Sequence, residues 1–156
     1  MVTQGDRIIG VAPMAESRTP VGAAVVDGTD RFLIPGLWDA HVHFVYDEGP
    51  TEAMPDLFLD FGVTSVRDTG GDLEQLVALR KAWTVAGRAM PRIYLAGPLL
   101  DGEHVVYDGA TEAQPPLGVS VPDRAVAREW VEAAKTRGAD FIKIYELVQP
   151  DVFDSS

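Results

Sequence analysis

The chain has 156 residues, 24 acidic and 13 basic, and a formal net charge of −11 with a pI near 4.5; this excludes an electrostatic nucleic-acid binder, which needs clustered Lys and Arg against phosphate. Apolar residues at 46% and charged residues at 24% are the proportions of one packed domain, not of a disordered chain. With no cysteine, disulfides, thiolate zinc sites and cysteine nucleophiles are ruled out, so a metal must be held by histidine, carboxylate or something made from lysine.

The N-terminus opens on polar Thr3, Gln4, Gly5 and Asp6. Asp6 to Val11 and Val21 to Asp27 read as two strands of a small sheet, separated by a turn-rich stretch with Pro13, Ser17 and Pro20. Val21–Val26 is the longest apolar stretch. Neither a membrane span nor a signal peptide is visible, which predicts a soluble, cytoplasmic chain. Asp27-Gly28 is a turn dipeptide and Pro35-Gly36 a second break, after which the pattern changes.

Leu37 to Phe44 reads as a strand, Thr51 to Phe61 as a helix ended by Gly62, and Val63 to Arg67 as the next strand. Asp72 caps a run in which Leu73, Leu76, Val77 and Leu79 fall near helical spacing, closed by Gly87. Arg92 to Ala96 is a third strand. Gly97 to Val121 reads as a long irregular connection, functional lid or disordered. Pro122 to Arg137 is a helix with Ala125, Val126, Trp130, Val131 and Ala134 on one face and Gly138 as its C-cap; Ala139 to Tyr145 is a fourth strand. Trp38, Trp83 and Trp130 read as core or helix-packing residues, not as a cofactor box. The alternation defines an α/β fold with a parallel sheet, either doubly wound or part of a barrel of eight units. A whole barrel takes roughly 250 residues, so only about half of one fits after Gly36.

Chemistry concentrates at His41-Val42-His43. Residues two apart on a strand point to one side, so both imidazoles, together with Asp39, face one cavity and can grip a divalent ion. The other reading is a solvated histidine pair at a strand end. Lys143, inside the apolar run Phe141-Ile142-Lys143-Ile144-Tyr145, is the second signal. Burial favours its neutral amine, a nucleophile that takes up carbon dioxide to form a metal-bridging carbamate; a lysine reaching the rim, or paired with Asp68 or Glu146, remains the alternative. Gly70-Gly71 serves either a close ligand approach or a strand-to-helix turn. His104, in the long connection, reaches a substrate or metal or is simply solvated.

The string Phe32-Leu33-Ile34-Pro35-Gly36-Leu37-Trp38-Asp39-Ala40-His41-Val42-His43 resembles the opening of the metal-dependent amidohydrolase superfamily, in its imidazolonepropionase-like and Xaa-Pro dipeptidase-like branch. Gly62-Val63-Thr64-Ser65-Val66-Arg67-Asp68 and Phe141–Tyr145 resemble the same family's second and fourth barrel strands. The resemblance implies part of a small β-sandwich over residues 1–35, followed over 36–156 by the first half of a (β/α)8 TIM-like barrel. It implies metal ligation by His41, His43 and a carboxylated Lys143, and substrate contacts from His104 and Tyr145. One or two divalent ions are implied, zinc foremost, with Mn, Fe, Co or Ni also suited to these donors.

By the same resemblance the enzyme hydrolyses carbon–nitrogen bonds of a small amide or peptide-like molecule, with the later histidines and the general acid/base aspartate expected beyond Ser156. These residues are therefore expected to be an N-terminal portion, catalytically incomplete. Exposed sheet edges would favour self-association. The alternative from another class is a non-enzymatic α/β module that binds a metal or ligand at the histidine edge.

Overall fold

The computed structural model describes residues 1–45, 52–85, 87, 89–111 and 114–153, and the chain divides into two units, Met1–Pro35 and Gly36–Ser156. In the first, β1 (Val2–Gln4) and β2 (Arg7–Gly10) form an antiparallel hairpin, followed by a single 3-10 turn at Met14–Glu16. The expected strand at Val21–Asp27 is absent. Val21, Val25 and Val26 are exposed, and a β-branched run becomes a strand only where a neighbouring ladder accepts its amides and carbonyls.

In the second unit β3 (Leu37–Val42), β4 (Val63–Asp68) and β5 (Arg92–Leu95) form a parallel sheet in that order. The connections are helical, as parallel strands require. Helix α1 (Met54–Asp60) starts with proline in its first turn, where a missing N–H costs nothing. Thr51, the expected start of that helix, lies outside the described residues. Helix α2 (Leu73–Val85) begins where Asp72 Oδ1 accepts the Gln75 amide at 2.8 Å. Leu73, Leu76 and Trp83 of α2 bury against Val66, Ile93 and Leu95 of the sheet, with Phe44 packed edge-on to Trp83 at a centroid distance of 5.3 Å.

Helix α3 (Arg124–Arg137) is capped by Asp123, which accepts the Ala125 and Val126 amides, and closes at Gly138 with φ 99°. Its expected apolar face is only partly buried: Ala134 is in the core, Trp130 is half-buried and Val131 is exposed. Trp38 is not a core residue either. It is 55% exposed and stacks on Tyr94 with ring centroids 5.2 Å apart.

The third strand does not run on unbroken. After Leu95 the chain turns through Ala96-Gly97-Pro98 and resumes as β6 (Leu99–Asp101), proline being unable to supply a ladder amide. The stretch expected as a lid or disordered loop is instead built from β6, a hairpin of β7 (Asp108–Thr111) and β8 (Gln114–Pro116), and β9 (Gly118–Ser120), which pairs in parallel with β6. The expected fourth strand shrinks to β10 (Lys143–Ile144), pairing with β6 and not with β5. At β5 its place is taken by single contacts: the Asp140 amide bonds Leu95 O at 2.8 Å, and Asp140 Oδ2 accepts the Leu95 amide at 2.9 Å. The result is a mixed α/β unit with two parallel three-stranded ladders, β3-β4-β5 and β10-β6-β9. A short α4 (Pro150–Phe153) follows. No described helix is long and apolar enough to cross a membrane.

Candidate metal centre

Strand β3 is irregular where it carries the histidines. Asp39 pairs with Val66 and Val42 with Asp68, so three steps on β3 match two on β4. A bulge of this kind breaks strict alternation and re-aims side chains. For that reason Asp39 does not line the histidine cavity as alternation predicts; its Oδ1 accepts the His41 backbone amide at 3.1 Å.

The two imidazoles converge. His41 Nε2 and His43 Nε2 are 3.2 Å apart, their rings inclined at 66°. His43 Nδ1 lies 2.9 Å from Gly70 O. A carbonyl only accepts, so Nδ1 carries the proton and Nε2 offers its lone pair. Gly70 is required here by close approach: a Cβ on it would stand 3.1 Å from His43 Cε1 and 2.9 Å from Leu99 Cδ2. Asp68, fully buried, brackets this histidine by accepting the Phe44 amide at 2.6 Å and the Gly70 amide at 3.1 Å. Burial pushes the Asp68 carboxyl above the usual range, against the opposing pull of those two amides.

His41 is held below the ordinary histidine range, first by burial, then by the charges of His43 and Lys143, with Asp39 opposing. Its neutral form, the one that binds metals, is thereby favoured. His41, His43, Lys143 and Tyr145 line one cavity of about 150 Å³ together with Leu99, Tyr107 and Leu117. Among the described residues Lys143 makes no ion pair with Asp68 or Glu146. His104 is exposed and is not part of the lining.

Sequence reasoning missed Tyr107. Its position in the long connection carries no periodic signal; only the ladder of β9 against β6, with Gly118 N bonding Tyr107 O at 2.9 Å, brings it over the cavity. The Tyr107 and Tyr145 rings meet edge to face at 5.7 Å. Burial, then the Tyr107 hydroxyl, raise the Tyr145 phenol above its ordinary range. Asp101, also fully buried, accepts the amides of Gly102 and Leu147 through Oδ1 at 2.9 and 2.8 Å, and that of Val106 through Oδ2 at 2.9 Å. The carboxylate thus ties together the segments that carry Tyr107 and Tyr145.

The histidine geometry fits one divalent ion. Two nitrogens 3.2 Å apart, each about 2.0–2.1 Å from a shared ion, subtend about 100° there, close to a tetrahedral angle. Among the described residues no three His, Cys, Asp or Glu side chains cluster to hold a metal. The other side chains on this lining with a donor atom are Lys143, whose amine becomes an anionic oxygen donor only after carboxylation, and the phenols of Tyr107 and Tyr145.

No family profile and no curated protein matches the sequence. Solved structures do. A protein described as a prolidase from Bifidobacterium longum is similar at a TM-score of 0.65 and 26% identity, over 88% of this chain and 33% of its own. A Xaa-Pro dipeptidase with bound methionine in its active site matches at 0.52 and 26%, over 70% of this chain and 33% of its own. A protein described as an amidohydrolase matches at 0.57 and 22%, over 83% and 38%. The fold is that of amidohydrolase-family proteins. The chain spans about a third of the length of the structures it resembles.

Proposed function

We propose that the chain carries the N-terminal portion of a metal-dependent amidohydrolase, the first half of its (β/α)8 barrel preceded by part of a β-sandwich, acting on carbon–nitrogen bonds of small amide or peptide-like molecules. The observation that carries this reading is the convergence of His41 Nε2 and His43 Nε2 to 3.2 Å in a cavity that Lys143 also lines. In this reading His41 and His43 bind as neutral imidazoles, the His43 proton remaining on Nδ1 against Gly70 O. Lys143 Nζ gives up a proton, forms an N–C bond to carbon dioxide and becomes a carbamate with oxygen donors. A divalent ion bound there, zinc foremost, supplies a Lewis acid and acidifies bound water. Tyr145 contacts the substrate. Leu99 and Leu117 narrow the cavity and exclude bulk water.

Catalytic zinc sites commonly take three protein ligands. Until Lys143 is carboxylated the cavity offers the two imidazoles, and the general acid/base aspartate of this reading is expected beyond Ser156, so the chain supports metal binding without efficient turnover. The lack of a third His, Cys, Asp or Glu among the described residues favours the second reading, a non-enzymatic metal-binding module. Zinc titration of the full chain by calorimetry tests both. The expected result is one weakly bound equivalent, lost in His41→Ala and in His43→Ala, and weakened further by Lys143→Ala or by removal of bicarbonate. Zinc uptake unchanged in both histidine variants overturns the ion site. Efficient amide hydrolysis by the zinc-loaded 156-residue chain overturns the catalytic-incompleteness reading and, with it, the non-enzymatic module.

A further inference from the structure

We propose that the apolar groove between α3, α4 and β10 is a self-association surface, and that its occupant is α1 of a second copy of the chain, seated through Leu57 and Phe61. The groove, of about 550 Å³, has Ile142 and Ile144 along its floor, Val131 of α3 on one wall and Val152 and Phe153 of α4 on the other. Phe153 is 62% exposed, and contiguous apolar surface open to water marks a contact face. Side chains alternate along a strand, so the two isoleucines line a different cavity from Lys143, which lies between them. The proposal is therefore independent of the ion site.

Helix α1 has the matching form. Met54 and Phe58 pack against the core, while Leu57 and Phe61, one turn apart, are 56% and 74% exposed. The Phe61 amide bonds Leu57 O at 3.3 Å, which holds the two side chains as a fixed pair. An amphipathic helix lying in an apolar groove presents anchors at this spacing of four.

Charge selects a second copy as the occupant. The chain carries a net charge of −11, so most of its surface repels a copy of itself. Helix α3 is an exception, with four basic residues against two acidic ones, and Arg124 and Arg128 lie on the groove. Arg124 Nε donates to Asp151 O, bracing α3 against α4, and among the described residues Arg128 makes no ion pair. Helix α1 carries Asp56 and Asp60 and no basic residue. Asp60 directly precedes Phe61, so seating that ring beside Val131 brings a carboxylate to the arginine rim, while like charges oppose contact elsewhere. Each copy owns both the helix and the groove, and a reciprocal exchange closes a two-fold dimer.

The test is sedimentation velocity of the 156-residue chain over a series of concentrations, with circular dichroism reporting the fold of each variant. Wild type is expected to pass from monomer to dimer as concentration rises. Phe61→Ser is expected to remain monomeric, whereas Phe32→Ser, which removes an exposed ring from the Met1–Pro35 unit, is expected to leave the dimer unchanged. Asp60→Arg and Arg128→Asp are each expected to weaken association about tenfold, the contact occurring twice in the dimer. Asp60→Arg also reduces the overall negative charge, so general repulsion alone would make that variant associate more tightly. The two reversals combined are expected to restore association to within about threefold of wild type. Should Phe61→Ser fail to fold, the reversals decide, both residues being exposed. A wild type that stays monomeric overturns the proposal and leaves the groove to another segment or another protein. A dimer that survives Phe61→Ser, that Asp60→Arg strengthens, or that the combined reversal does not restore overturns it in favour of pairing through sheet edges or through the apolar residues of the first unit.

Discussion

His43 Nδ1 donates to the Gly70 carbonyl at 2.9 Å, and this contact across two strand ends decides which ring nitrogen faces His41. A metal-binding imidazole anchored through its other nitrogen has both its tautomer and its orientation set. Gly70→Ala would place a methyl group 3.1 Å from His43 Cε1 and 2.9 Å from Leu99 Cδ2. The ring must give by a few tenths of an ångström while its carbonyl partner remains. Zinc affinity is expected to fall, by less than the about 10–100-fold that outright loss of such an anchor brings, while circular dichroism stays that of the wild type. Equal zinc affinity in the variant would show that His43 needs no support from Gly70.

The Asp140 carboxylate joins α2 to the sheet and to the end of α3. Its Oδ2 meets the Arg80 guanidinium at 2.5 Å and the Leu95 amide at 2.9 Å, and Arg80 also donates to Gly138 O at 3.0 Å. Both side chains of the pair are partly exposed, at 27% and 36%, so the ion pair by itself contributes little. The backbone amide is what matters. Asp140→Ala is expected to lower stability by about 1–3 kcal/mol in urea unfolding, chiefly because the Leu95 amide loses its acceptor. Arg80→Met, which keeps the alkyl packing, is expected to cost less.

Asp68 imposes a pH dependence whose sign follows from its burial. Its folded-state pKa lies above the ordinary carboxylate value, so between the two values the folded chain holds more protons than the unfolded one. Stability must then decrease as pH rises through that window and recover as pH falls through it. Asp68→Asn carries no charge to bury. The stability of wild type relative to Asp68→Asn is therefore expected to increase as the pH is lowered from neutrality, levelling off below the unfolded carboxylate range. Paired urea titrations across acidic pH measure it; a gap that stays constant, or moves the other way, refutes the assignment.

Much of the second unit was legible along the chain because its signals are local. Asp72 caps one helix, Gly138 ends another, and the β-branched run from Val63 to Arg67 is a strand. The pairing of His41 with His43 was also readable, since two residues on one strand end need only a separation of two to share a side. The resemblance of the Pro35–His43 string to amidohydrolases was visible in the same way, and solved structures at 26% identity share that fold.

What the linear order could not contain is everything fixed by contact between distant segments. The bulge that turns Asp39 out of the cavity depends on β4 as a template. The break at Gly97-Pro98 moves β10 onto β6, and the ladder between β6 and β9 carries Tyr107 to Tyr145. Val21–Asp27 had the composition of a strand but found no ladder to join. Capping and periodicity are decided within a few residues by backbone geometry, so composition and spacing suffice to determine them. Register, bulges and the assembly of a cavity depend on which amides and carbonyls far apart in the chain satisfy one another, and that is settled only when the sheet forms.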